Sequence, residues 1–124
     1  MIRIVISVLI FAHAVAHLPG FLVSWRLRSF PELPFRTTIL AGSVDVGQTG
    51  IKVVGIAWLT LSVALAIIAV GILTRAAWSQ PAAYFAVGLS AGLCIVGWPD
   101  ARLGLVANAV ILAVIMTGAR AGWL

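Results

Sequence analysis

The position of the charged residues constrains this chain more than any other feature of its sequence. Eight Lys and Arg and three Asp and Glu are the only charged side chains among 124 residues, and they separate long uncharged runs. Each run is close to the roughly 20 residues that an α-helix needs to cross the hydrocarbon core of a bilayer. The sequence therefore predicts an all-α fold, an integral membrane four-helix bundle that forms a single domain over residues 1–124. The predicted spans are about 4–25, 53–74, 78–98 and 103–119, with a long loop at 26–52.

The composition excludes the other large classes of protein. The chain is 63% hydrophobic and only 9% charged, whereas a soluble domain carries about a quarter charged residues. Its mean hydropathy of +1.19 excludes intrinsic disorder. Cys94 is the single cysteine, which excludes an intramolecular disulfide and a cysteine-based metal cluster. The net charge of +5 is spread along the chain rather than clustered, so we expect a lipid bilayer, and no nucleic acid, as its partner.

Aromatic and basic residues agree with the predicted spans. Indole rings prefer the headgroup region of a membrane, and Trp residues stand at the ends of the runs, at Trp25, Trp78, Trp98 and Trp123. Most of the Lys and Arg residues fall on the side of the first loop. The positive-inside rule therefore predicts a cytoplasmic first loop and an amino terminus outside.

Two local signals interrupt the helical pattern. Pro19 lacks a backbone N–H and is followed by a glycine, which predicts a kink in the first helix just below His17. Within the long loop, residues 37–46 are rich in Thr, Ile and Val around Gly42 and Ser43. This composition predicts a short extended segment with a turn, lying over one mouth of the bundle.

Three polar residues lie deep inside the predicted spans. His13 and His17 are four residues apart, so they share one face of the first helix. At about 1.5 Å of rise per residue, His17 lies roughly 12 Å and His13 roughly 18 Å inward from Trp25. Asn108 lies roughly 15 Å inward from Trp98 by the same rise. If the first and fourth helices adjoin, these side chains form one polar pocket.

Asp100 stands at the predicted entrance of this pocket. Asp100, Gly104 and Asn108 follow one another at four-residue spacing, which predicts one stripe on the fourth helix, with Gly104 leaving room beside it. We interpret His13, His17, Asn108 and Asp100 as candidate ligand-binding residues, with Asn108 as a hydrogen-bond donor and Asp100 as a charge partner. The other interpretation of Asp100 is a solvated pair with Arg102 at an interfacial turn.

Three interpretations of the histidines stay open. They bind a lipophilic ligand or relay protons, they hold a metal, or they only join helices by hydrogen bonds. A metal is not expected, because two imidazoles and one distant carboxylate are an incomplete ligand set. A haem usually takes axial histidines from different helices, whereas His13 and His17 lie on one helix. The sequence therefore identifies no cofactor.

Small residues recur at four-residue spacing on the last two helices, and we interpret both rows as surfaces that pack helices within the chain, in preference to a dimer motif. The first comprises Ala82, Ala86, Ser90 and Cys94 with Gly88 and Gly92, and the second comprises Ala109, Ala113 and Thr117. No nucleotide-binding loop is found, and 124 residues give too few helices for an alternating-access repeat without oligomerisation, which argues against an energy-coupled permease. No convincing nucleophile is found, which argues against an enzyme. Two functions remain: a small bundle that binds a lipophilic molecule or relays protons, and an accessory subunit of a larger membrane complex.

Three stretches of the sequence resemble a known family. LIFAHAVAHLPGFLVSW, LPFRTTILAGSVDVGQTGIKVVGIAWL and GWPDARLGLVANAVIL are similar to segments of small, uncharacterised bacterial four-helix membrane proteins that are sometimes labelled permeases. The resemblance implies a multi-pass protein of the bacterial inner membrane, and its recurrent residues map onto His13, His17, Trp98, Asp100, Gly104 and Asn108. Pro99 departs from the small polar residue of that pattern. The helix layout is also similar to that of DoxX-type proteins, by analogy only.

Overall fold

The computed structural model describes residues 1–124, and its regular secondary structure is helical apart from one short hairpin. The elements are α1 (Ile2–Ala16), α2 (Leu18–Ser24), β1 (Thr38–Ile39), β2 (Val44–Asp45), α3 (Gly47–Leu73), α4 (Ser79–Val96) and α5 (Arg102–Arg120). α1 and α2 together form one long, broken helix, so four helices are long and apolar enough to cross a membrane. The predictions of an all-α chain and of four such helices are confirmed.

The first long helix breaks at His17. The backbone N–H of His17 bonds to the carbonyl of Ala14 at 3.1 Å, three residues back instead of four. Pro19 then stands in the first turn of α2, where its missing N–H has no helical partner to lose. The predicted interruption of the first helix is therefore confirmed, and it falls at the candidate site residue itself.

α3 begins at Gly47 instead of near residue 53, which shortens the long loop. The backbone N–H of Gly47 donates to Oδ1 of Asp45 at 2.9 Å, so a side chain satisfies one of the free donors of the first turn. Lys52 is exposed in the second turn of α3, and its ammonium lies 5.1 Å from the centre of a Trp25 ring. A lysine near a helix end can extend its ammonium group into water while its backbone is helical. The position of Lys52 therefore predicts a start of α3 that is too late.

The first loop contains the expected extended segment. β1 and β2 pair antiparallel, with Thr38 opposite Asp45, and the turn between them includes Gly42 at a φ of +83°. Only glycine adopts this backbone region without strain.

The tip of this hairpin is bonded to the end of α4. The backbone N–H of Leu40 donates to the carbonyl of Val96 at 2.9 Å, and that of Ala41 donates to Trp98 at 3.0 Å. The long loop and the turn between α4 and α5 therefore lie at the same end of the bundle, as the sequence predicted.

The apolar core lies where α1, α3, α4 and α5 meet. Its most enclosed large side chains are Ile6, Ile10, Leu65 and Ile115. α3 packs against α1, α2 and α4, whereas its outer face is left uncovered by this chain. On that face Ile56, Val63, Ile67 and Val70 are exposed and Leu59 is half-buried.

The small-residue rows are only partly at helix contacts. In α4, Ser90 and Cys94 are buried, but Gly88 and Gly92 are exposed, and a Cβ on either glycine would meet no atom within 4 Å. Two residues correspond to about 200° around a helix, so the glycines lie opposite the buried face. Their interpretation as packing residues within the chain is wrong, as it is for the exposed row on α5, Ala109, Ala113 and Thr117.

Candidate functional site

Polar side chains from three helices meet inside the apolar bundle. α1 contributes His13 and the break after it contributes His17, which are 7% and 2% exposed. α4 contributes Ser90, which is fully buried at 0% exposure, and α5 contributes Asn108 at 3%. Polar groups this deep need partners, since an unpaired buried donor or acceptor is costly.

His13 joins α1 to the two last helices. Its Nε2 lies 2.9 Å from Oδ1 of Asn108 and 3.3 Å from Oγ of Ser90. The prediction that a histidine of the first helix bonds to Asn108 is confirmed. The expectation that Asn108 is a hydrogen-bond donor to a ligand is wrong, because its Oδ1 accepts from His13 and Asn108 is not among the residues that line the cavity beside the site. The amide Nδ2 of Asn108 points to Sγ of Cys94 at 3.7 Å, so this cysteine also belongs to the network.

His17 is held at both ring nitrogens. Its Nδ1 lies 2.8 Å from the carbonyl oxygen of His13, and its Nε2 lies 2.8 Å from Oγ of Ser90. Its ring also contacts two other rings edge-on, that of His13 at 4.6 Å between centroids and that of Trp58 at 5.2 Å. His17 is therefore fixed in position and orientation.

The partners determine which ring nitrogen carries the proton. A carbonyl oxygen only accepts, so Nδ1 of His17 donates to His13, and Nε2 of His13 donates to the amide oxygen of Asn108. In neutral rings the second nitrogen of each is then an acceptor. Ser90 consequently donates its hydroxyl proton to Nε2 of His17 and accepts the weaker bond from His13. Every one of these bonds forms with both imidazoles neutral.

A cavity of about 710 Å³ reaches from these histidines to the end of the bundle. It is lined by α2, with Pro19 and Val23, and by the start of α5, with Leu103 and Ala107. Trp58 of α3 also lines it. α2 packs against α3, and both α2 and α5 contribute residues to the lining of the cavity.

The mouth of the cavity carries an ion pair. Nε of Arg36, from the long loop, lies 3.0 Å from Oδ2 of Asp100, and both residues line the cavity. The predicted pairing of Asp100 with Arg102 is wrong, because the carboxylate is already bonded to the loop. The predicted stripe is also interrupted, since α5 begins at Arg102 and Asp100 lies in the preceding turn. Asp100 therefore does not contact the histidines, and it contributes to the site only at its entrance.

Gly104 has the role in packing that its position suggested. A Cβ on Gly104 would lie 2.5 Å from Sγ of Cys94, so the glycine lets α4 approach α5 beside the site.

No group of three His, Cys, Asp or Glu side chains is arranged to hold a metal ion. The site accordingly offers hydrogen bonds and apolar walls.

Two site residues were not recognised in the sequence as such. The small-residue spacing of α4 indicates helix packing for Ser90, and no pattern marks Trp58, yet both contact His17. A signal for Ser90 was present: it stands eight residues before Trp98, and His17 stands eight residues before Trp25. Both are thus about 12 Å deep by helical rise, at the same end of the bundle. No comparable signal marks Trp58.

No protein-family model, curated protein or solved structure matches this chain. The resemblance of the sequence to small bacterial four-helix membrane proteins therefore stays a prediction. The function of the site has to be inferred from its own hydrogen bonds, its cavity and its surroundings.

Proposed function

We propose that this chain is a four-span integral membrane protein of the bacterial cytoplasmic membrane. Large apolar side chains cover its outside, among them Val8 at 60% exposure, Phe85 at 70% and Val106 at 61%. Water is a poor solvent for such a surface, and lipid is a good one. Exposed Trp side chains flank the spans, as they do at membrane interfaces, at Trp25 and Trp98 on one end and at Trp78 and Trp123 on the other.

Its proposed activity is the binding of a lipophilic small molecule in the cavity between α2 and α5. The observation that carries this proposal is the position of the cavity, which extends from the buried His13 and His17 to the Arg36–Asp100 pair at the mouth. Ligand sites are typically apolar clefts of about 300–1,000 Å³ with a few convergent polar groups. Of its 28 lining residues 15 are hydrophobic, which suits a mainly apolar ligand with one polar end.

A second candidate function is that of an accessory subunit whose polar network only holds the bundle together. Two observations favour it. The bonds among His13, His17, Ser90 and Asn108 close within the chain. The outer face of α3 is also uncovered, and a partner subunit is as suitable a cover for it as lipid.

Filling the cavity separates the two functions. Ala107 lines the cavity one residue before Asn108, so Ala107→Phe places a ring in the proposed ligand volume. Ala109 is on the same helix but is exposed and does not line the cavity, so Ala109→Phe is the matched control. We expect lipophilic compounds of graded polarity to raise the melting temperature of the wild type and of Ala109→Phe in detergent, and not that of Ala107→Phe.

Folding of each variant is checked by circular dichroism before ligand is added. If no compound of the panel binds the wild type, or if both Phe variants bind alike, the cavity is not a ligand site. The accessory function then becomes the better one, and it predicts co-purification of a partner membrane subunit.

A further inference from the structure

One ring nitrogen of the histidine pair has no partner in the chain. Three of the four imidazole nitrogens of His13 and His17 are hydrogen-bonded, and the fourth is Nδ1 of His13. This atom is not sealed in protein, since the only enclosed side-chain nitrogen or oxygen without a partner is Oγ of Ser7. His13 lines the cavity, and Nδ1 is the one polar atom of its ring that is left without a partner.

The network fixes the chemical character of that nitrogen. Nε2 of His13 carries the proton, because Oδ1 of Asn108, 2.9 Å away, only accepts. Nδ1 of a neutral ring then presents a lone pair. A second proton is not supported by a neighbouring charge, since Asp100 is the only acid that lines the cavity and is bonded to Arg36. A buried charge without a partner is strongly unfavourable.

Building on the proposed function, we infer that the cavity selects lipophilic molecules with a hydroxyl group at one end, and that Nδ1 of His13 accepts the hydrogen bond of this hydroxyl. A carbonyl, ether or hydrocarbon at the same position has no proton to donate. A hydrocarbon leaves the nitrogen unpaired, and the oxygen of a carbonyl or ether sets its lone pairs against that of the nitrogen. Molecules with these groups therefore bind less tightly. The indole of Trp58 lines the same cavity and favours an aromatic hydroxyl, that is, a phenol.

A matched ligand pair tests this selection on the unmodified protein. 4-Hexylphenol and its methyl ether, 4-hexylanisole, differ by one methyl group, which removes the donor and keeps the ring and the chain. We expect the phenol to bind about tenfold more tightly by calorimetry in detergent, a ratio equivalent to about 1.4 kcal/mol. In His13→Leu, which lacks the acceptor, we expect the two compounds to bind within about twofold of each other.

A spectroscopic measurement keeps the inference testable if His13→Leu does not fold. In protein with ¹⁵N-labelled histidine, we expect Nε2 of His13 to give a protonated-type signal and Nδ1 an unprotonated-type signal. The Nδ1 signal should move on addition of 4-hexylphenol and stay in place on addition of 4-hexylanisole. An Nδ1 that carries the proton in the free protein overturns the inference.

The outcomes also distinguish this inference from the proposed function. Equal affinity for phenol and ether, with binding still abolished by Ala107→Phe, leaves a lipophilic ligand site and refutes the donor selection. Absence of binding for both compounds, together with every other lipophile tried, refutes the ligand site itself.

Discussion

Replacing either of two buried serines, Ser90 or Ser7, by alanine removes the same hydroxyl group, but we expect different effects on the stability of the protein. Ser90 and Ser7 are both buried, at 0% and 6% exposure. Oγ of Ser90 bonds to both histidines, at 2.8 Å to His17 and 3.3 Å to His13. Oγ of Ser7 has no partner. Ser90→Ala and Ser7→Ala therefore remove one oxygen each from similarly buried positions, but only the first breaks hydrogen bonds.

The expected magnitudes follow from the partners. Leaving a buried group unpaired costs about 1–3 kcal/mol in general, but hydrogen bonds within membrane proteins average only about 0.6 kcal/mol, with a maximum near 1.7. Ser90→Ala leaves Nε2 of His17 without its donor and weakens one bond of His13. We expect a loss of about 1–2 kcal/mol in the free energy of unfolding. Ser7→Ala removes an unsatisfied hydroxyl, so we expect no loss, or a gain of up to about 1 kcal/mol.

The assay is reversible unfolding of both variants in mixed micelles with increasing denaturing detergent. Because Ser and Ala differ in helix propensity to the same degree at both positions, this contribution cancels in the comparison. Equal losses for the two variants, or a larger loss for Ser7→Ala, would falsify the assignment of Ser90 as the link between the histidines.

Two further predictions concern the contacts around the cavity. Gly104→Ala should lower the melting temperature, because its Cβ would lie 2.5 Å from Sγ of Cys94 and overpacking costs about 1–3 kcal/mol. Gly92→Ala is the control. Its Cβ would meet no atom within 4 Å, so this change should be neutral or stabilising. In a double-mutant cycle of Arg36→Gln and Asp100→Asn, whose side chains are 55% and 23% exposed, we expect a coupling of about 0.2–1 kcal/mol. That coupling should fall with added salt, and a salt-independent value would contradict the solvent-screened pair.

Features that depend on the chain locally were predictable from sequence. The helices follow from uncharged runs of bilayer length, and the break at His17 follows from the missing N–H of Pro19. The contact between His13 and Asn108 was also predictable, although the residues are 95 positions apart. Helical rise converts distance along each span into depth, and equal depth brings side chains level if their helices adjoin.

What only the tertiary structure decided is rotation about the helix axes and the path of the long loop. A helix that is apolar all round does not indicate which face is inside. Helical geometry puts Gly88 and Ser90 on opposite faces of α4, but only the neighbouring helices decided that the face of Ser90 is the buried one. The pairing of Arg36 with Asp100 likewise depends on how the hairpin folds back over the bundle. Depth along a helix is set by a fixed rise per residue, whereas the face that a residue presents is set by the neighbours that pack against it.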